Sequence, residues 1–211
     1  MGVGPVVRRA LGRHERLISE AYRHLFVDLD EFVASIRACV SAPATILEIG
    51  CGDGLVTQRL AHAFPASTVA GIDICAQPGR LYRGASHRVR FLRTTAEDLM
   101  AAENVRYQLV IVADVLHHVP YGEWPRFLSS TSTLIAPGGT LILKDWVRQP
   151  TPAYWMGYLS DRFVTGDRIR YPEEDELRSL AQNSFGADAI RSEFRVRPWR
   201  SNLALVISPP L

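Results

Sequence analysis

Apolar residues recur at helical spacing twice near the start of the chain, at Leu17, Ile18, Ala21 and Leu25, and then at Leu29, Phe32, Val33, Ile36 and Val40. Pro43 stops the pattern, so two leading helices are expected. Short apolar runs follow at 45–49, 68–74, 89–92, 109–113 and 141–143. Their length and β-branched content suit buried strands. Between them lie two helical stripes. One comprises Leu55, Val56, Leu60, Ala63 and Phe64, the other Trp124, Phe127, Leu128, Thr131, Leu134 and Ile135. This alternation calls for a parallel sheet with helices on both faces, because each crossover must return across the sheet. The "APGG" at 136–139 is expected to end the second of these helices and turn the chain into the next strand.

Beyond Asp145 the pattern loosens over residues 146–172, rich in aromatic residues, Pro and Gly, which read as an insertion carrying one short helix. Pro172 and a cluster of acids then open a helix with Leu177, Leu180 and Ala181 on its apolar face and Gly186 beyond its end. "AIRSEFRVRPW" and "NLALVIS" read as two closing strands with a tight connection. The resulting division is a helical cap or lid over residues 1–42 and a main domain over 43–211.

Composition narrows the function classes. A chain of 211 residues with a hydrophobic share of 47% suits one globular domain. With 24 basic and 22 acidic residues the formal charge is only +2, too little excess to hold a phosphate backbone, so no nucleic-acid partner is expected. Only Lys144 of the basic residues is a lysine. Cys39, Cys51 and Cys75 are an odd set without metal-ligand spacing, which indicates neither a disulfide framework nor a zinc site. The first residues carry arginines where a secretory signal needs an apolar core, and no stretch is long enough to span a bilayer. A cytoplasmic protein without a membrane span is expected.

The stretch "ILEIGCGDGL" at 46–55 sets an apolar run and Glu48 before Gly50, Gly52 and Gly54. Strand, glycine loop and helix in that order make a ligand site at the carboxyl edge of a sheet, where missing side chains admit a ligand against the backbone. A dinucleotide fingerprint needs a third glycine where Leu55 stands, which makes a nicotinamide oxidoreductase the runner-up. A tight turn that binds nothing is the plain alternative.

An acid ahead of G-x-G-x-G resembles the first motif of class I S-adenosylmethionine-dependent methyltransferases, and four further stretches match that family in order. "VAGIDI" at 69–74, "FLRTTAEDL" at 91–99, "LVIVADVLHHVP" at 109–120 and "LIAPGGTLILKDW" at 134–146 resemble its later strand motifs. The resemblance implies a Rossmann-like α/β fold with a seven-stranded sheet, mostly parallel with a C-terminal antiparallel strand, and S-adenosylmethionine as cofactor. It assigns cofactor contacts to Glu48, Gly50, Cys51, Gly52, Gly54, Asp73, Ile74, Thr95, Ala96, Glu97 and Asp114. Asp73 would take the ribose hydroxyls and Ile74 would lie against the adenine. Thr95 stands where the family commonly has an acid for the adenine amino group, leaving Glu97 or Asp98 as substitute acceptors. Cys51 reads as a small loop side chain rather than a reactive thiol.

By the same resemblance His117 is the candidate base, His118 its neighbour and Asp145 the orienting acid, as in small-molecule O-methyltransferases. Packing or loop hydrogen bonding is the bland alternative for each. Strand alternation sends Lys144 to the face opposite Asp145, where a structural role is expected. Tyr22, Phe26, Trp146, Tyr154, Tyr158 and Arg168 are assigned to the acceptor pocket, with Phe163, Tyr171, Arg162 and Arg170 nearby. No metal is implied, since the histidine pair lacks partners at ligand spacing. The expected function is methyl transfer to a small molecule, O-methylation being favoured. C-methylation of a quinone-like or natural-product acceptor is the alternative, and a non-catalytic cofactor-binding module is the reading of another class. The partner is a small-molecule acceptor, and the chain is expected to be a monomer or homodimer.

Overall fold

A computed structural model describes residues 25–151, 154–156 and 169–210. Seven strands form one sheet: β1 (Thr45–Ile49), β2 (Thr68–Asp73), β3 (Val89–Arg93), β4 (Tyr107–Ala113), β5 (Ile135–Trp146), β6 (Ile190–Arg195) and β7 (Asn202–Ile207). Their spatial order is β3-β2-β1-β4-β5-β7-β6. The first five pair in parallel, while β7 runs antiparallel to both β5 and β6. Only β7 is therefore reversed, and the expected Rossmann-like sheet is the observed one.

Among the described residues five α-helices cover the sheet: α1 (Leu29–Cys39), α2 (Leu55–Ala63), α3 (Ala96–Glu103), α4 (Trp124–Thr133) and α5 (Glu174–Phe185). Successive strand residues face opposite sides, so the sheet feeds two apolar layers. Leu47, Ile49, Val110, Val112, Leu141 and Leu143 pack with α3, α4 and α5. Ile46, Val69, Leu109, Ile111 and Ile142 pack with α1 and α2. The described part of the N-terminal segment is thus core: Leu29, Phe32, Val33 and Ile36 of α1 are all buried. Asp28 caps α1 by accepting from the Asp30 and Glu31 amides. Glu31 in turn binds the Arg197 side chain at 2.9 Å and its amide at 2.7 Å, tying α1 to the β6–β7 connection.

β5 is longer than its apolar run suggests. The "APGG" does not separate helix from strand but lies within β5 as an irregularity, between the Tyr107↔Ile135 and Leu109↔Thr140 pairs. Gly138 supplies a φ of 71° there. At its far end β5 keeps its ladder with β7 through Trp146↔Asn202. α5 opens on a capping box between Glu173 and Glu176, which stops the helix short of Pro172. Among the described residues no helix is long and apolar enough to cross a membrane.

If α1 belongs to the core, deleting a large side chain from it should unfold the whole domain cooperatively. Phe32 is 1% exposed, and Phe32→Ala is expected to cost about 3–5 kcal/mol. A single urea transition with a lowered midpoint is the expected record; a separate early transition with the main one unmoved would make α1 a detachable lid.

Candidate active site

The order β3-β2-β1-β4-β5 reverses direction between β1 and β4. Crossovers leave these two strands toward opposite sides, which opens a crevice at their carboxyl ends. The glycine loop follows β1 and the histidine pair follows β4, so both reach this crevice.

All three loop glycines have positive φ, 77° at Gly50, 50° at Gly52 and 87° at Gly54. What a side chain at Gly50 or Gly54 would meet is the protein itself. A Cβ on Gly50 would meet Val115 Cγ2 at 2.2 Å, and one on Gly54 would meet Gly79 Cα at 2.8 Å. The loop is held by backbone bonds: the Gly50 and Cys51 amides donate to Ile72 O, and the Gly79 amide to Gly52 O. Burial pushes the Cys51 thiol well above its ordinary value, with the charges of Glu48 and Asp73 adding to the effect, so this thiol is inert.

Asp73 ends β2 and accepts the Gly52 amide on one carboxylate oxygen and the Cys75 amide on the other, each at 2.7 Å. Each oxygen retains acceptor capacity. Next to it Ile74 is 73% exposed, a large apolar side chain presented at the crevice edge. Glu48 is buried and accepts from the Thr57 hydroxyl of α2. Thr95 caps α3, accepting the Asp98 amide at 3.1 Å and donating to Asp98 Oδ2 at 2.8 Å. Ala96 is buried at the first position of that helix. Glu97 binds Arg126 twice at 2.9 Å and Ser130 at 2.9 Å, so its carboxylate is drawn to α4 instead of standing ready as an adenine acceptor.

After β4 the chain makes a single 3-10 turn over Leu116–His118. Here His117, 3% exposed, meets wholly buried Asp145 from the end of β5. His117 Nδ1 lies 2.6 Å from Asp145 Oδ1, and the His117 amide donates to Asp145 Oδ2 at 3.2 Å. The Trp146 amide donates to Asp145 Oδ1 at 2.7 Å. Burial alone would raise the Asp145 carboxyl, yet the facing His117, then the Lys144 charge and the Trp146 amide, hold it below its ordinary value. Because an ionised carboxylate only accepts, Nδ1 is the nitrogen that donates to Asp145, which in the neutral imidazole leaves the lone pair on Nε2.

The aromatic residues gather on this pair. The His118 ring centroid is 4.1 Å from that of His117, and Tyr171 is 4.9 Å away on another side. Tyr171 also contacts Tyr154 at 5.5 Å and Trp146 at 6.3 Å, and Trp146 meets Phe26 edge-on at 5.9 Å. The Arg170 amide donates to His117 O at 3.2 Å, while its guanidinium lies 3.7 Å above the Tyr121 ring. Phe26, Trp146 and Tyr154 therefore belong to one aromatic cluster that reaches His117 through Tyr171. Tyr22, Tyr158 and Arg168, with Arg162 and Phe163, fall outside the described residues.

Asp114 does not cap the following turn. It adopts φ 58° at the end of β4, and its two oxygens receive the Lys144 ammonium at 2.6 and 2.7 Å. Lys144 is on the face opposite Asp145, as alternation requires, and wholly buried. Spacing along the chain gives the histidine pair no acidic partners, but the fold does: one polar atom each of Asp114, His117 and Asp145 lie within 4.8 Å of one another. The cation facing Asp114 in this group is the lysine. The one legible sign of it was a charged residue inside the apolar β5 run "LILKDW".

Residues 21–187 match a methyltransferase domain family. An uncharacterized methyltransferase of Mycobacterium tuberculosis is 35% identical over 104 residues, 48% of this chain and 50% of that one. A ubiquinone biosynthesis O-methyltransferase of Saccharophagus degradans is 28% identical over 154 residues, 68% of this chain and 63% of that one. The chain thus spans half the length of the first relative and under two thirds of the second. Among solved structures, the Burkholderia thailandensis 1,6-didemethyltoxoflavin-N1-methyltransferase, with bound 1,6-didemethyltoxoflavin and S-adenosylhomocysteine, has a TM-score of 0.68 at 18% identity, over 98% of this chain and 88% of that one. CalO1, a methyltransferase in calicheamicin biosynthesis, has a TM-score of 0.68 at 14% identity, over 98% of this chain and 59% of that one. At these identities the likeness is one of fold. Because the family match runs through most of its length, from the first described helix to the end of α5, the chain belongs to the methyltransferase domain family.

Proposed function

We propose that the chain is an S-adenosylmethionine-dependent methyltransferase acting on a hydroxyl of a small molecule, with His117 as general base. The observation that carries this reading is the 2.6 Å contact between His117 Nδ1 and buried Asp145 at the crevice of the sheet. Family membership and the 28% identity to a ubiquinone biosynthesis O-methyltransferase support it. For the cofactor, the tight glycine loop, the acceptor capacity of Asp73 and the exposed Ile74 form a fitting set: backbone for the amino-acid end, a carboxylate for the ribose, an apolar face for adenine.

Bound S-adenosylmethionine would supply a methyl group already made electrophilic by its sulfonium. Nε2 of His117 would take the acceptor's hydroxyl proton as the oxygen–carbon bond forms and the methyl–sulfur bond breaks, the sulfur leaving as a neutral thioether. Asp145 holds the imidazole in the required tautomer and stabilises the imidazolium. Tyr171 packs on the base, and Tyr154, Trp146 and Phe26 extend the aromatic cluster behind it, which would keep water from competing for the base.

His117→Gln is expected to leave cofactor affinity unchanged by calorimetry and to lower kcat by about 10²–10⁴-fold. Retained turnover would rule His117 out as base, and tight cofactor binding by a wild-type chain that methylates nothing in a labelled-methyl screen of small-molecule extracts would favour a binding module.

Asp73→Ala removes the ribose acceptor together with the bond that positions Gly52. We expect at least about a tenfold loss of affinity for S-adenosylmethionine, equal to about 1.4 kcal/mol. Unchanged affinity would place the ribose elsewhere.

The depressed Asp145 carboxyl also ties stability to pH. Since its folded value lies below the ordinary 3.8, its contribution is present above that value and lost as pH falls through the folded one. Asp145→Asn is therefore expected to flatten the fall of unfolding free energy below about pH 4. Parallel curves for the two proteins in urea titrations would contradict the assignment.

A further inference from the structure

We propose that Lys144 is a positioning residue of this site: its buried ammonium fixes the Asp114 carboxylate beside His117 and Asp145, and the two opposite charges together set the proton affinity of the imidazole. Lys144 is the chain's only lysine and is 0% exposed. Its Nζ lies 2.6 and 2.7 Å from the two Asp114 oxygens, and the Asp114 amide donates to Lys144 O at 3.0 Å, so backbone and side chain are both locked in register. The φ of 58° at Asp114 turns its carboxylate back onto the sheet, where a non-glycine residue is held at some cost.

Stability alone does not call for a charge here. Along β5 Lys144 lies between Leu143 and Asp145, whose side chain takes the other face, and across the ladders it pairs with Ala113 and Ala204; a buried ion pair is often no better than apolar residues of the same volume. What the pair adds is field. An Asp114 oxygen lies within 4.8 Å of a His117 nitrogen, where a unit charge still acts strongly. Among the described residues, the groups facing His117 include Asp145 from β5, Asp114 just past β4, Tyr171 before α5 and His118 on its own turn, with Lys144 behind Asp114. Arg170 contributes its amide to the His117 carbonyl and carries its guanidinium to Tyr121 and Glu176. Lys144 offsets one of the two carboxylates. Without it the site gains negative charge and favours imidazolium; without the Asp114 charge it gains positive charge and favours neutral imidazole.

For catalysis this device rests on His117 acting as base, but titration of the imidazole needs no turnover, so the two ideas fail separately. The test is an NMR titration of the His117 ring in the full chain labelled at histidine, with the signal assigned through His117→Gln. Asp114→Asn is expected to lower the midpoint by about one pH unit and Lys144→Met to raise it by a similar amount. The double variant, which removes both charges, should return to near the wild-type midpoint. A lysine that merely fills space would leave the midpoint in place while Tm falls. Should Lys144→Met not fold, Asp114→Asn alone decides. A midpoint unmoved in Asp114→Asn, or moving the same way in both single variants, overturns the proposal.

Discussion

Parallel pairing of β4 between β1 and β5 is the constraint on which the site depends. Ile49↔Val112 and Val112↔Leu143 bring three strands to a common carboxyl edge. The loop after β1 and the turn after β4 then interlock, with Val115 occupying the space a Gly50 side chain would need. A slip of one residue between β4 and β5 would exchange Lys144 and Asp145 between the faces of the sheet. His117 would then meet an ammonium instead of a carboxylate.

Most of the fold was legible because buried parallel strands are written as unbroken apolar runs, and β1 through β4 lie where those runs fall. α1, α2, α4 and α5 showed through their stripes. α3 is short and buries only Ala96 and Leu99, too few positions to declare a period. β5 was underestimated because Pro137, Gly138 and Gly139 look like a stop, whereas the strand absorbs them as an irregularity before resuming at Thr140. Hydrogen bonding across to β7 then carries it past Leu143 to Trp146.

The site was legible by position and not by partner. Sequence order put His117 and Asp145 at the ends of neighbouring strands, and that suffices to join them. It could not say that Glu97 would find Arg126 one helix away, or that Thr95 would spend its hydroxyl on Asp98, because such contacts depend on the packing angle of α3 against α4. The glycines illustrate the same limit. Their spacing marks a loop that needs positive φ, yet it does not reveal that Val115 and Gly79 are the neighbours that forbid a side chain.

Adjacent residues on one strand explain how a mostly apolar sheet carries three charges at a single edge. Lys144 and Asp145 follow each other on β5, so alternation sends one toward α1 and α2 and the other toward α4 and α5. Neither can stay charged in its layer unaided. Each is met by a residue from beyond the end of β4, Asp114 for the lysine and His117 for the aspartate. Only Val115 and Leu116 separate Asp114 from His117, and the 3-10 turn that begins at Leu116 is what lets them reach opposite faces of the same strand. Polar pairs on the two faces of β5 are therefore linked through one short turn, and whatever shifts that turn changes the imidazole's carboxylate and its field together.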